Sequence, residues 1–262
     1  MSVKESTTFV KTNIGEIAVF QRLADSDKTP IIFLHGVYFD HHLWDEVIDS
    51  IQDRTTYSVD MPFHGLSKEI TKTDWTLNDC ADMLIEILHG LQLPKVIAIG
   101  HSWGSMTILR AAHKNPEQFS SIGLCNMPFM DASKRKKLIL RMQHTMLPFR
   151  NFYTQQAAKA LFGKSSLNDN TFLTNQLKRT MDLLTIHQLK HTDRAVIGNA
   201  DDATELIKTL KVKALALKGE EDYVPAPPHL ETFIVKGGHV SPIENPNGVL
   251  EFVKRIVIKV EE

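Results

Sequence analysis

The chain reads as an α/β protein: a mostly parallel sheet with helices on both faces. Three observations predict this. Short apolar runs alternate with amphipathic helical stretches along most of the 262 residues. The alternation stops between about Met127 and Ala200, where no strand pattern appears, and then resumes. A strand runs directly into Gly100-His101-Ser102-Trp103-Gly104 and a helix leaves it.

The elements follow in order. Two strands occupy the first twenty-odd residues, Ile17-Ala18-Val19-Phe20 being the clearer. Pro30 to Leu34 is an apolar strand. His42 to Ile51 has a helical stripe of Leu43, Val47 and Ile51, and there adjacent His41 and His42 would face apart. Thr56 to Val59 is a strand, Asp60 to Ser67 a loop, and Leu77 to Leu91 a helix. Lys95 to Ile99 is a strand, and the helix 103–114 ends at Asn115-Pro116. Ser121 to Cys125 is a strand. The stretch 127–200 is helical, with breaks expected near Pro148, Gly163 and Ser165-Ser166. It is too long for a simple crossover. Ala203 to Leu210 is a helix, 212–217 and 232–235 are strands, and 249–258 is a closing helix with Leu250, Val253 and Val257 inward.

Composition narrows the class. The chain is 42% hydrophobic and 23% charged, as in ordinary globular proteins, and its formal net charge is -1. Nothing global draws it to nucleic acid or to an anionic membrane. No stretch reaches the length of a membrane span, and no signal-type apolar segment opens the sequence. The two cysteines, Cys80 and Cys125, form no disulfide framework and read as small buried hydrophobes, so a cytoplasmic location is the expectation. The twelve histidines show no zinc-type spacing, and no dinucleotide-binding glycine motif follows a strand. Neither a metal nor another cofactor is expected.

The chemistry concentrates around Ser102. In Gly-x-Ser-x-Gly a sharp turn holds the serine in a strained backbone conformation, and the flanking glycines leave it room. The helix that follows offers the free N–H of Trp103 to an oxyanion. A second donor is expected from the loop after an early strand, here the N–H of Val37, with Gly36 allowing close approach. Downstream, a late strand ends in Lys218-Gly219-Glu220-Glu221-Asp222. An acid there can fix the tautomer of a histidine and stabilise its imidazolium. Asp222 is the first choice, with Glu220 and Glu221 as substitutes. Finally Gly237-Gly238-His239 follows the last strand, and the glycines let the loop bring His239 back over the sheet edge. The chain order is Ser102, Asp222, His239.

These stretches, with Asp60-Met61-Pro62-Phe63-His64-Gly65-Leu66-Ser67 and Glu244-Asn245-Pro246, resemble the α/β-hydrolase fold family, in its serine esterase, haloperoxidase and epoxide-hydrolase branch. The resemblance spans roughly residues 30–250. It implies an eight-stranded, mostly parallel sheet with helices on both faces. It implies a core of 1–126 and 201–262, with 127–200 inserted as a helical cap. It also implies a serine hydrolase that cleaves a carboxylic ester, lactone or thioester through an acyl-enzyme on Ser102. Related dehalogenases and epoxide hydrolases carry an aspartate at this elbow, so Ser102 argues against both. Ser-Trp-Gly-Ser at 102–105 is similar to proline iminopeptidases, but their Gly-Gly-Pro-Gly is absent after His35. A carbon–carbon bond hydrolase or an amidase on the same residues is an alternative. So is a small-molecule receptor of this fold with little turnover.

The partner expected is a small ester-like molecule with an apolar part. Tyr38, Trp103 and Val240 adjoin the reacting residues in sequence, and Met146 and Phe149 belong to an apolar run of the inserted segment. Tyr38, Val240, Met146 and Phe149 are therefore the substrate-binding candidates. The basic residues Lys134 to Lys137, Arg141 and Arg150 read as a solvated helix face.

Overall fold

A computed structural model describes residues 4–169 and 171–261. Eight strands form one sheet: β1 (Lys4–Lys11), β2 (Glu16–Leu23), β3 (Ile31–Leu34), β4 (Thr56–Val59), β5 (Val96–His101), β6 (Phe119–Cys125), β7 (Ala214–Gly219) and β8 (Thr232–Val235). Their spatial order is β1-β2-β4-β3-β5-β6-β7-β8. Only β2 runs against the others. The central strands are buried on both faces, which is why β3 reads Ile-Ile-Phe-Leu without alternation.

The helices of the alternating part are α1 (Asp45–Asp49), α2 (Leu77–Gly90) and α3 (Trp103–Lys114). Thr76 starts α2 with a capping box, its hydroxyl accepting from Asp79 N–H while the Asp79 carboxylate accepts from Thr76 N–H. Beyond β6 the chain leaves the sheet. It forms α4 (Lys134–Thr145), α5 (Arg150–Leu161), α6 (Lys164–Asp169), α7 (Thr171–Asp182) and α8 (Ile186–Thr192), then a π-helical turn over Asp193–Gly198. It returns through α9 (Thr204–Lys208) to β7, and closes with α10 (Ser241–Glu244) and α11 (Pro246–Glu261). Helices α2 and α9 pack on α3, and α1 packs on α11, which covers β6 and β7.

Three local readings need correction. The stretch after Asp40 is a 3-10 turn, His41–Trp44, before the short α1, because the Asp40 carboxylate accepts from His42 N–H and caps it early. His41 and His42 do not face apart: their ring centroids are 4.0 Å from each other. Ser165 and Ser166 lie inside α6, so the chain breaks near Pro148 and at Gly163 but not at these serines.

The topology dictates where chemistry can gather. Strand β3 stands between β4 and β5, so consecutive connections leave it in opposite directions and open a crevice at the strand C-termini. The residues following β3, β5, β6, β7 and β8 lie along that edge.

Candidate active site

Ser102 stands at the crevice with φ 50 and ψ -108, a left-handed conformation that a non-glycine residue rarely adopts. The flanking glycines are needed for packing. A Cβ on Gly100 would lie 2.4 Å from the backbone of Gly104, and one on Gly104 would lie 2.3 Å from the Leu34 carbonyl oxygen. So β5, α3 and the end of β3 are locked together at backbone contact, and the serine is left pointing out of the turn.

His239 Nε2 lies 3.0 Å from Ser102 Oγ, and His239 Nδ1 lies 2.9 Å from Asp222 Oδ1. A carboxylate can only accept, so Nδ1 carries the proton and Nε2 is the acceptor facing the serine hydroxyl. All three residues are buried. Asp222 also accepts from Val224 N–H at 3.0 Å and from Asn126 Nδ2 at 2.8 Å. Burial alone would raise its pKa. The hydrogen bonds from His239, Val224 and Asn126 outweigh this and hold the carboxyl below its ordinary range.

Of the acids in the β7 turn, Asp222 faces His239. Glu221 turns outward, where its carboxylate accepts from the Lys164 N–H and from Ser165. Glu220 is exposed.

The β3 loop lies over the serine. A Cβ on Gly36 would be 3.2 Å from Ser102 Cβ. His35 sets the orientation of the next peptide. Its Nε2 accepts from Met61 N–H at 2.9 Å, so Nδ1 carries a proton and donates to the Gly36 carbonyl at 2.7 Å. That carbonyl shares a peptide plane with the Val37 N–H. Neither the Val37 nor the Trp103 N–H has an acceptor among the described residues. Burial lowers the His35 pKa to about 3, so it is neutral in this role.

Further residues hold the site in shape, and sequence reasoning missed them. His101 Nε2 donates to the His239 carbonyl at 2.7 Å, and burial lowers its pKa to about 3. Glu244 clamps the His239 loop: Oε2 accepts from Gly238 N–H and Gly163 N–H, both at 2.8 Å, and Oε1 accepts from Val240 N–H at 3.0 Å. Asn126, in a left-handed conformation at the end of β6, carries no motif of its own. Its place beside β7 is the one signal that could have found it.

Beside these residues lies a cavity of about 490 Å³ in the inserted helices, lined by Tyr38, Leu140, Met146, Tyr153, Leu161 and Tyr223 among others. Two of its lining residues touch His239. The Tyr223 ring stacks on the imidazole at 4.8 Å, and the Leu161 carbonyl accepts the His239 N–H at 2.7 Å. Of the residues named from the sequence as substrate-binding candidates, Tyr38 and Met146 line the cavity. Two other candidates do not. Phe149 is 63% exposed outside the lining, because it sits at the solvent-facing start of α5. Val240 is fully buried against α10, where its N–H is held by Glu244. Trp103 is also fully buried, its indole stacked on Trp75 at 5.2 Å, so only its backbone faces the serine.

Residues 29–188 match the alpha/beta hydrolase fold family. With the eight-stranded sheet and the serine turn after β5, this settles the class: the chain belongs to that family. An uncharacterized hydrolase, YugF, of Bacillus subtilis is 22% identical over 261 residues, covering 91% of this chain and 93% of its own. A 2-(acetamidomethylene)succinate hydrolase of Mesorhizobium japonicum is 30% identical over 113 residues, which span 43% of this chain and 40% of that protein. Among solved structures, a thermophilic esterase from Thermogutta terrifontis superposes with a TM-score of 0.83 at 19% identity, covering 98% of this chain and 100% of the esterase. Among the described residues no helix is long and apolar enough to cross a membrane.

Proposed function

We propose that this chain hydrolyses carboxylic esters, with lactones and thioesters in the same class, through an acyl-enzyme on Ser102. The observation that carries the reading is the unbroken line Ser102 Oγ, His239 Nε2, His239 Nδ1, Asp222 Oδ1, with contacts of 3.0 and 2.9 Å. Ser102 Oγ attacks the carbonyl carbon and passes its proton to His239 Nε2. The oxyanion accepts from the Val37 and Trp103 N–H groups. Collapse breaks the bond to the leaving group, which takes the proton from His239. Water then repeats the sequence: His239 accepts its proton, its oxygen attacks the acyl carbon, and Ser102 leaves with the proton returned. Asp222 stays ionised throughout and stabilises the imidazolium.

In this reading residues 127–200 act as a cap, and the cavity beneath α4 and α5 receives the acyl group. Its largely apolar lining supports an acyl chain there. Similarity to the succinate-derivative hydrolase over 113 residues favours a second reading, in which the same residues act as a carbon–carbon bond hydrolase or an amidase.

The test is multiple-turnover hydrolysis of p-nitrophenyl esters of graded acyl length by wild type and Ser102→Ala. Turnover that disappears in the variant is expected. A single burst without turnover would favour a receptor. Turnover that survives in the variant would remove Ser102 from the reaction.

A further inference from the structure

The loop that carries Val37 is not held by the sheet alone. The next residue, Tyr38, has φ 68, a left-handed conformation that costs an aromatic residue energy and persists only under external restraint. Each of its polar groups is held by a different part of the chain. Its N–H donates to His64 Nε2 at 3.2 Å. Its carbonyl accepts from the Thr180 hydroxyl of α7. Its phenol donates to Asp193 Oδ1 at 2.5 Å.

Asp193 is completely buried at the start of the π-helical turn, an irregularity often found at functional positions. Tyr153 OH donates to its other oxygen at 3.1 Å and His144 Nε2 lies 2.9 Å from that oxygen. Both phenol protons are thus directed at the carboxylate, and a bare buried carboxylate is avoided. Asp193, His144, Tyr153 and Thr180 all belong to the inserted segment, whereas Tyr38 belongs to the β3 loop.

We propose that Tyr38, Asp193 and Thr180 are positioning residues for the oxyanion site: the inserted segment grips Tyr38 and thereby fixes the Val37 N–H over Ser102. The inference rests on the reading that Val37 N–H is an oxyanion donor. It adds that this donor is aligned only when the inserted segment is docked. Tyr38 and Thr180 touch no reacting atom; they act through the peptide between Gly36 and Val37.

The test uses Tyr38→Phe and Thr180→Val with p-nitrophenyl butyrate. Phe keeps the ring that lines the cavity and removes only the phenol. Val keeps the shape of Thr180, which does not line the cavity, and removes its hydroxyl. Both should lower kcat by about 10- to 100-fold, less than the roughly 10²–10³-fold loss of a donor outright. KM should change by less than about threefold. Affinity for butaneboronic acid, which forms a tetrahedral adduct on the serine, should fall by the same factor as kcat, while inhibition by butyrate should stay the same. A merely structural role would lower thermal stability without this selective loss of the tetrahedral ligand. If both folded variants keep wild-type kcat, or change KM alone, the proposal is wrong. Turnover surviving in Ser102→Ala would instead overturn the reading beneath it.

Discussion

Acidification should destabilise this protein well above the pH at which its carboxylates protonate. His35, His64 and His101 are buried and neutral, and burial lowers their pKa values to about 3, about 4 and about 3. An unfolded imidazole titrates near 6.5. As pH falls below that value the unfolded chain binds protons that the folded chain cannot, so stability present at pH 7.5 is lost progressively toward pH 4. At pH 5.5 each histidine costs a little over 1 kcal/mol, and the three together about 4 kcal/mol. That is a large part of the roughly 5–15 kcal/mol of a typical domain. His191, whose pKa burial also lowers, adds in the same direction. His42 acts oppositely, since its bond to Asp45 raises its pKa, but it is half exposed and its effect is small. The depressed carboxyls of Asp60 and Asp222 matter only below about pH 4, whereas burial raises the Asp40 carboxyl, which opposes the three histidines as pH falls. Urea unfolding followed by the buried Trp44, Trp75 and Trp103 is a suitable assay. With a slope of about 3 kcal/mol/M, the midpoint should drop by more than about 1 M. His64→Gln should remove about a third of that drop. A midpoint that is the same at both pH values, or higher at pH 5.5, would refute the assignment of these histidines as buried and neutral.

Other outcomes follow from the same geometry. Asp222→Asn should lower kcat by about 10⁴-fold while leaving the fold intact, and Glu221→Gln should leave kcat within about twofold; the reverse ranking in p-nitrophenyl ester assays would move the acid to Glu221. Gly104→Ala places a methyl 2.3 Å from the Leu34 carbonyl oxygen. It should cost about 3 kcal/mol or more by urea unfolding, and a wild-type midpoint would contradict the close packing of the elbow. Ala157→Trp intrudes on the cavity beside His239. It should lower the octanoate-to-acetate ratio of kcat/KM by at least about tenfold, since each methylene excluded is worth about 0.8 kcal/mol. An unchanged ratio would place the acyl group elsewhere.

Much of this architecture is legible in the sequence because the signals are local. The uninterrupted apolar run of β3, the glycine spacing around Ser102 and the stop at Asn115-Pro116 each report a backbone requirement of their own position. Among the three acids the sequence favours Asp222 but leaves Glu220 and Glu221 open. Three adjacent acids differ only in where the turn aims them, and the Asp222 N–H bonded to the Gly219 carbonyl at 3.2 Å belongs to a turn whose shape no composition reveals. The supporting roles of Asn126, Glu244 and Asp193 are unread for a different reason, although Glu244 stands in a stretch that carries the family resemblance. Each acts across the fold, on a partner fixed by sheet order or by docking of the inserted helices, and its neighbours in sequence carry no sign of it. Phe149 shows the converse limit. Residues of one apolar run divide between cavity and solvent according to helix phase, and phase fails where the helix starts anew at Arg150.

The most direct measurement is intact-mass and peptide mass spectrometry of the wild-type protein, acid-quenched during steady-state hydrolysis of p-nitrophenyl butyrate. The account predicts a butyryl adduct on the peptide containing Ser102, absent in Ser102→Ala and accumulating in Asp222→Asn if deacylation becomes the slower step. Sustained turnover with the adduct on another residue would contradict it.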